Sequence, residues 1–193
     1  MIICDIDNMI LVNSGGNTMG NRETRTCNQT RNIRSEIIVN RHLNDKDTYY
    51  GGDIMAHFDS AGGGAIFNFI RKASFTATVD EMTFVSPVYK SEQIYVEAFV
   101  SGAGTSSVEV FTKLIATNLK TFEKRLAAYA FLTYVVQDRN NPEFTMPTLV
   151  PESEEEITIC EGYAKRREMN LEKRKQGKKI KDVIQLTPIW EQR

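Results

Sequence analysis

The sequence predicts an α+β chain, in which a five-stranded antiparallel sheet wraps around one long central helix and a further helix lies near the C-terminus. Three observations predict it. Ile54, Met55, Phe58, Ala61, Ala65, Ile66, Phe69 and Ile70 recur at spacings of three and four, which is the period of a helix. Elsewhere apolar and polar residues alternate, which is the period of a strand. The last four strands follow one another through short turns, and a lone helix and an antiparallel sheet can bury their apolar faces only against each other.

The elements follow in chain order. Residues 1–32 are polar and rich in Asn, Thr, Arg and Gly, so a mostly flexible arm is expected. Ile33, Ser35, Ile37 and Val39 alternate with Arg34, Glu36, Ile38 and Asn40, the first strand. A polar loop, Arg41 to Tyr50, leads into the helix, expected from Gly52 to Arg71 and buried nearly all round. The run Gly62-Gly63-Gly64 would let the sheet approach closely. Strands then follow at Phe75–Asp80, running on through Met82–Val85 to Pro87, at Ile94–Val100, at Val108–Ala116 and at Arg125–Asp138. Phe99, Phe111, Ile115, Tyr129 and Phe131 form a second apolar face. It is either an interface or is covered by the C-terminal segment. Ser153 with Glu156 three residues on reads as a capping box. Acid at Glu154–Glu156 and base at Lys165–Arg167 and Lys173–Lys175 complement the dipole of a helix from Glu154 to Gln176, ended by Gly177.

Composition excludes several classes. In 193 residues, 24 Lys and Arg nearly balance 25 Asp and Glu, so no global field favours nucleic acid or an anionic membrane. No apolar run approaches the ~20 residues of a membrane span. The N-terminal MIICDIDNMILV is interrupted by Asp5 and Asp7 and makes a poor secretion signal. Cys4, Cys27 and Cys160 form no CxxC pair or metal spacing, so a reducing, cytoplasmic setting is expected.

One stretch carries chemistry. Gly51-Gly52 opens the central helix, so backbone N–H donors there can be approached closely. The helix dipole would help them hold a developing oxyanion. Asp59, two turns on, can take a proton from water. Set against this, Asp59 is an ordinary exposed helix residue and the glycines only make a turn. His57 is offset from Asp59 by two positions, on another helix face, and reads as structural.

Four ordered motifs then bear on the choice. Gly51-Gly52-Asp-Ile-Met-Ala-His-Phe-Asp59-Ser-Ala resembles the GG-x-[LI]-[ML]-x-x-[MF]-[DE]-x-A signature of acyl-CoA hydrolases with the hotdog fold. The likeness continues through Thr76-Ala-Thr-Val-Asp80 with Phe84, Pro87 and Val88, through Gly104-Thr105-Ser106-Ser107-Val108-Glu109-Val110, and through Phe131 to Asp138. Asn44 stands at the family's asparagine, seven residues before Gly51.

The resemblance implies a hotdog thioesterase domain over residues 33–138, with a linker and charged helix over 139–193. It implies hydrolysis of acyl-CoA to free fatty acid and CoA, with no metal and no cofactor besides the CoA of the substrate. Two subunits would join edge to edge around a shared active site and assemble further into hexamers, with no nucleic acid and no membrane insertion. Asn44 of one subunit would face Asp59 of the other. Asp59, Asn44 and the N–H of Gly52 would be catalytic. Gly51, Thr83, Phe84, Gly104, Thr105 and Ser106 would hold the CoA arm, with Arg71, Lys72, Lys90 and Lys165–Arg167 as candidates for its phosphates. The alternative is a non-catalytic acyl-CoA sensor on the same fold. Three departures stand out: Asp47 where the family usually has glycine, Asp53 where it has an apolar residue, and Lys90-Ser91-Glu92 in place of a Gly-Asp turn.

Overall fold

A computed structural model of the chain describes residues 22–137 and 140–191. β1 (Thr24–Thr26) leads into a single turn, α1 (Cys27–Thr30), whose Gln29 N–H is capped by the Thr26 hydroxyl. β2 (Asn32–Ile37) and a 3-10 turn at Asn40–His42 precede the central helix, α2 (Gly51–Ile70). Four long strands follow: β3 (Ser74–Phe84), β4 (Glu92–Ala103), β5 (Ser107–Asn118) and β6 (Lys124–Val136). β7 (Thr148–Val150), α3 (Glu154–Glu161) and α4 (Tyr163–Val183) complete the chain.

The main sheet is antiparallel, with strand order β2-β4-β5-β6-β3. The expectation of consecutive hairpins therefore holds for β4-β5-β6 and fails for β3. That strand pairs with β6 at one edge, and residues 85–91 carry the chain to the far side of the sheet. There the connector meets the loop before α2: Tyr49 N–H donates to the Val88 carbonyl at 2.8 Å, and Thr48 bridges to Tyr89. Asp47 and Ser91 both take positive φ, 56° and 63°, the left-handed region where glycine is unstrained. This is the physical sense of the family's glycine at position 47. The turns keep their shape without it.

α2 buries Ile54, Phe58, Ala61, Ala65, Ile66, Phe69 and Ile70 against the sheet. Gly62 permits the close approach, because a Cβ there would come within 2.2 Å of the Tyr134 hydroxyl. The helix is not enclosed all round, however. Met55, Asp59 and Phe67 lie on an exposed stripe, the part of its surface that the sheet does not reach.

The second apolar face of the sheet is covered by the chain itself. Phe99, Phe111 and Phe131 are buried, with centroids 5.4 and 5.2 Å apart along the row. α1 and α3 pack on β4, and β1 pairs with β7 in a parallel two-stranded ladder. The interface reading of these aromatics is thereby overturned in favour of cover from the chain's own ends. The same packing corrects the expectation of a flexible arm for Thr24–Asn32, where Cys27 and Thr30 are fully buried. The rest of that arm, residues 1–21, lies outside the described residues. Cys27 and Cys160 meet across the cover with their sulfurs 3.7 Å apart.

The Ser153–Glu156 capping box forms as expected. The single expected helix is two, broken at Gly162, and α4 runs through Gly177 to Val183. One glycine in a helix interior costs only ~1 kcal/mol relative to Ala, which does not stop a helix.

Two buried carboxylates make this packing pH-sensitive. Burial opposes ionisation of Glu156. The N–H groups of Ser153 and Glu152 and the Arg31 guanidinium outweigh it and hold the carboxyl below its ordinary range. Hydrogen bonds from Arg125 do the same, first among causes, for Glu92. A depressed folded pKa contributes stability above the unfolded value of about 4.3 that is lost as pH falls through the folded value. The urea midpoint should therefore hold steady near neutrality and fall in acid below about pH 4. A Glu92→Gln, Glu156→Gln chain should lose less of its own midpoint over that range.

Candidate functional site

The expected site residues sort into two groups at opposite ends of β3. The first surrounds the start of α2. Tyr50, the residue before the helix, offers no side-chain cap, so the N–H groups of Gly51 and Gly52 have no intrahelical acceptor. The Phe84 ring lies against Gly51, 3.5 Å from where a Cβ would stand, and is 55% exposed. Thr83 precedes it on β3. Asn44 sits in the adjoining loop and holds its shape. Its carbonyl accepts from the N–H of Lys46 at 2.8 Å and of Thr48 at 3.2 Å, and its amide donates to the Thr48 hydroxyl at 2.9 Å.

The second group surrounds Asp59. The Thr76 hydroxyl donates to Asp59 Oδ1 at 2.6 Å. Tyr134, 2% exposed, donates its hydroxyl to the Asp59 main-chain carbonyl at 2.9 Å, with Oδ1 at 3.5 Å. Burial, then the Asp59 charge, raises the Tyr134 pKa and keeps it a donor. One carboxylate oxygen is thus held and oriented, while the other has no hydrogen-bond partner among the described residues. A carboxylate so placed can accept a proton from water. Neither partner was assigned a role from sequence. Thr76 was visible only as one letter of a motif, and its hydroxyl acts through a tertiary contact that spacing does not encode. Gly104, Thr105 and Ser106 form the β4–β5 turn at this same end of the sheet, since Ser107 pairs with Val135 while Thr76 pairs with Tyr134.

The two groups of one chain stand apart. Gly52 and Asp59 are seven residues apart, about 10 Å along the helix axis. Ser74 and Phe84 are separated by roughly 33 Å of strand. The edge between them is apolar and uncovered in the single chain: Phe75 is 60% and Val79 48% exposed.

His57 lies away from Asp59, as expected. Its Nε2 is 3.4 Å from Glu36, which His42 approaches at 3.3 Å from the other side. Asp53 lines an open groove beside them and does not reach the acid. Among the described residues no cluster of three or more His, Cys, Asp or Glu side chains is placed to hold a metal ion. No described helix is long and apolar enough to cross a membrane.

Residues 47–122 match the family model described as the thioesterase superfamily. The stretch runs from the loop before Gly51, through α2 and Asp59, to the β5–β6 turn. Over that stretch the chain is similar to the thioesterase superfamily. Its relatives include an uncharacterized acyl-CoA thioester hydrolase of Bacillus subtilis, YkhA, 29% identical over 168 residues, which are 87% of this chain and 98% of that one. The crystal structure of an acyl-CoA hydrolase from Bacillus cereus superposes with a TM-score of 0.80 at 29% identity, over 85% of this chain and 100% of that one. An apo-hexameric acyl-CoA thioesterase superposes with a TM-score of 0.73 at 28% identity, over 79% and 97%. The roll of sheet around helix is thus the hotdog fold of this superfamily, which the motifs had implied.

Proposed function

We propose that the chain is a cytoplasmic acyl-CoA thioesterase that converts an acyl-CoA and water to free acid and CoA. The reading rests on the oriented carboxylate of Asp59, held on one oxygen and open on the other, in a chain similar to this superfamily. A thioester carbonyl is less resonance-stabilised than an amide, so an activated serine is not required. Asp59 takes a proton from water as the water attacks the carbonyl carbon. The N–H of Gly52 stabilises the oxyanion, and one such donor is worth about 2.7–4 kcal/mol. The tetrahedral intermediate then collapses and expels the CoA thiolate. Asn44 orients the water or the thioester.

The 10 Å between Gly52 and Asp59 on one helix supports an active site shared between two chains. A two-fold axis that sets two β3 strands antiparallel along their apolar edges would bring the Gly51–Phe84 end of one chain to the Asp59–Thr76 end of the other. Such dimers can assemble further, and a trimer of dimers is the hexamer we expect.

Following free-thiol release from acyl-CoAs of graded chain length tests the activity. No release at any length, with acyl-CoA still bound, would favour the sensor reading instead. Thr76→Val tests the orientation of the acid. It keeps the shape and removes the donor, so kcat should fall about tenfold with KM and thermal midpoint little changed. An unchanged kcat would remove Thr76 from the mechanism.

A further inference from the structure

α4 is anchored to the domain at its start. Tyr163 is buried, and the Arg166 guanidinium binds the carboxylate of buried Glu109. From Leu171 to Val183 every residue of the helix except Gly177 is exposed. This free part concentrates charge. Lys173, Arg174, Lys175, Lys178, Lys179 and Lys181 fall within nine residues that contain no acid. Glu172 and Asp182 bound the run, and Glu172 pairs with Lys175 at 3.2 Å. Among the described residues the other five cations make no ion pair. The chain as a whole is near charge balance, so this excess is local and sets up a positive field of its own.

Apolar groups share the segment. Ile180, Val183 and Ile184 stand at i, i+3 and i+4, on one face, with Lys179 and Lys181 to either side of Ile180. The helix then ends, and Leu186 and Trp190 follow, the latter in a 3-10 turn at Ile189–Glu191. These five large side chains are 58–95% exposed. Charge decides what can cover them. A second copy of the segment would set like charges together. A nucleic acid would meet the cations and leave the apolar side chains in water. A bilayer surface that contains anionic lipid satisfies both. Its headgroups take the lysines, whose stems lie along apolar surface, and its headgroup–acyl boundary takes the aliphatic side chains and the tryptophan.

We propose that residues 173–190 dock the protein on an anionic lipid surface, lying in its plane. No described helix is long and apolar enough to cross a membrane, which leaves the interface as the place for this one. The inference stands apart from the thioesterase reading, because it uses none of the residues of that site. Where that reading also holds, docking brings the enzyme to a surface into which acyl chains partition.

The test sediments the full chain with vesicles of phosphatidylcholine, with or without phosphatidylglycerol. Wild type should sediment with the anionic vesicles only, and high salt should weaken the binding. Lys178→Gln, Lys179→Gln, Lys181→Gln should lower partition about 100-fold. Ile180→Ser, Trp190→Ser should lower it about tenfold or more. Trp190 is the chain's single tryptophan, so its emission reads the segment directly. It should shift to the blue on anionic vesicles and be quenched by brominated acyl chains. All the substituted residues are exposed, so the thermal midpoint and thiol release from dissolved acyl-CoA should not change. Whether or not the chain releases thiol, the vesicles decide this proposal. Absence of binding to anionic vesicles overturns it. So does binding with unshifted Trp190 emission, or binding that survives Ile180→Ser, Trp190→Ser in full, since the apolar side chains then take no part. Tighter binding to a single-stranded oligonucleotide than to the anionic vesicles would assign the cations to nucleic acid instead.

Discussion

Asp59→Asn should lower kcat for acyl-CoA by about 10²–10⁴-fold, the range for a positioned general base. The amide keeps the shape of the carboxylate and can still accept from the Thr76 hydroxyl that holds Oδ1. It cannot take a proton from water. KM should stay near its wild-type value, since the group acts in the transition state and not in ground-state binding. Asp59 is exposed and makes no contact that the core depends on, so the thermal midpoint should be preserved. Steady-state thiol release at saturating and at limiting acyl-CoA separates these terms. Turnover within a few-fold of wild type would mean that another group activates the water.

Arg166→Met should be the most destabilising single change on the cover of the sheet, by about 3–5 kcal/mol, the cost of leaving one partner of a buried ion pair uncompensated. Glu109 is 2% exposed and takes two of its hydrogen-bond donors from this guanidinium. Arg166 also stacks on the Phe131 ring at 4.0 Å and donates to the Ile159 carbonyl, so its loss also loosens the join between α3 and α4. Chemical denaturation measures the change. Glu109→Gln placed in the Arg166→Met chain should recover part of it by removing the stranded charge. If Arg166→Met costs no more than a surface pair, under about 1 kcal/mol, the ion pair does not anchor the C-terminal helices.

Periodicity alone located the central helix and the four long strands; α2, β4, β5 and β6 each bury a continuous face, and burial writes its period into the sequence. The capping box was legible for a similar reason, since two side chains at fixed spacing satisfy two backbone donors. What escaped was long-range. The crossing of residues 85–91 looks like any short turn, and only the pairing of β3 with β6 distinguishes it. The N-terminal cover escaped because just two of its residues, Cys27 and Thr30, are fully buried in a polar run. Gly51, Gly52 and Asp59 stood out through the family motif, whereas Thr76 and Tyr134 reach Asp59 from strands far away in sequence. The separation of Gly52 from Asp59 follows from helix geometry.

Mixing subunits tests that arrangement most directly. Asn44→Ala and Asp59→Ala chains, each nearly inactive alone, are combined at equal concentration under conditions that exchange subunits, and thiol release from acyl-CoA is followed. A site made from Asn44 of one chain and Asp59 of its partner regenerates one intact centre in each mixed dimer, so activity should climb to about one quarter of wild type when pairing is random in a two-fold dimer. Activity that stays at the level of the separate variants, after exchange has been verified, would place both residues in one chain's centre and contradict the account.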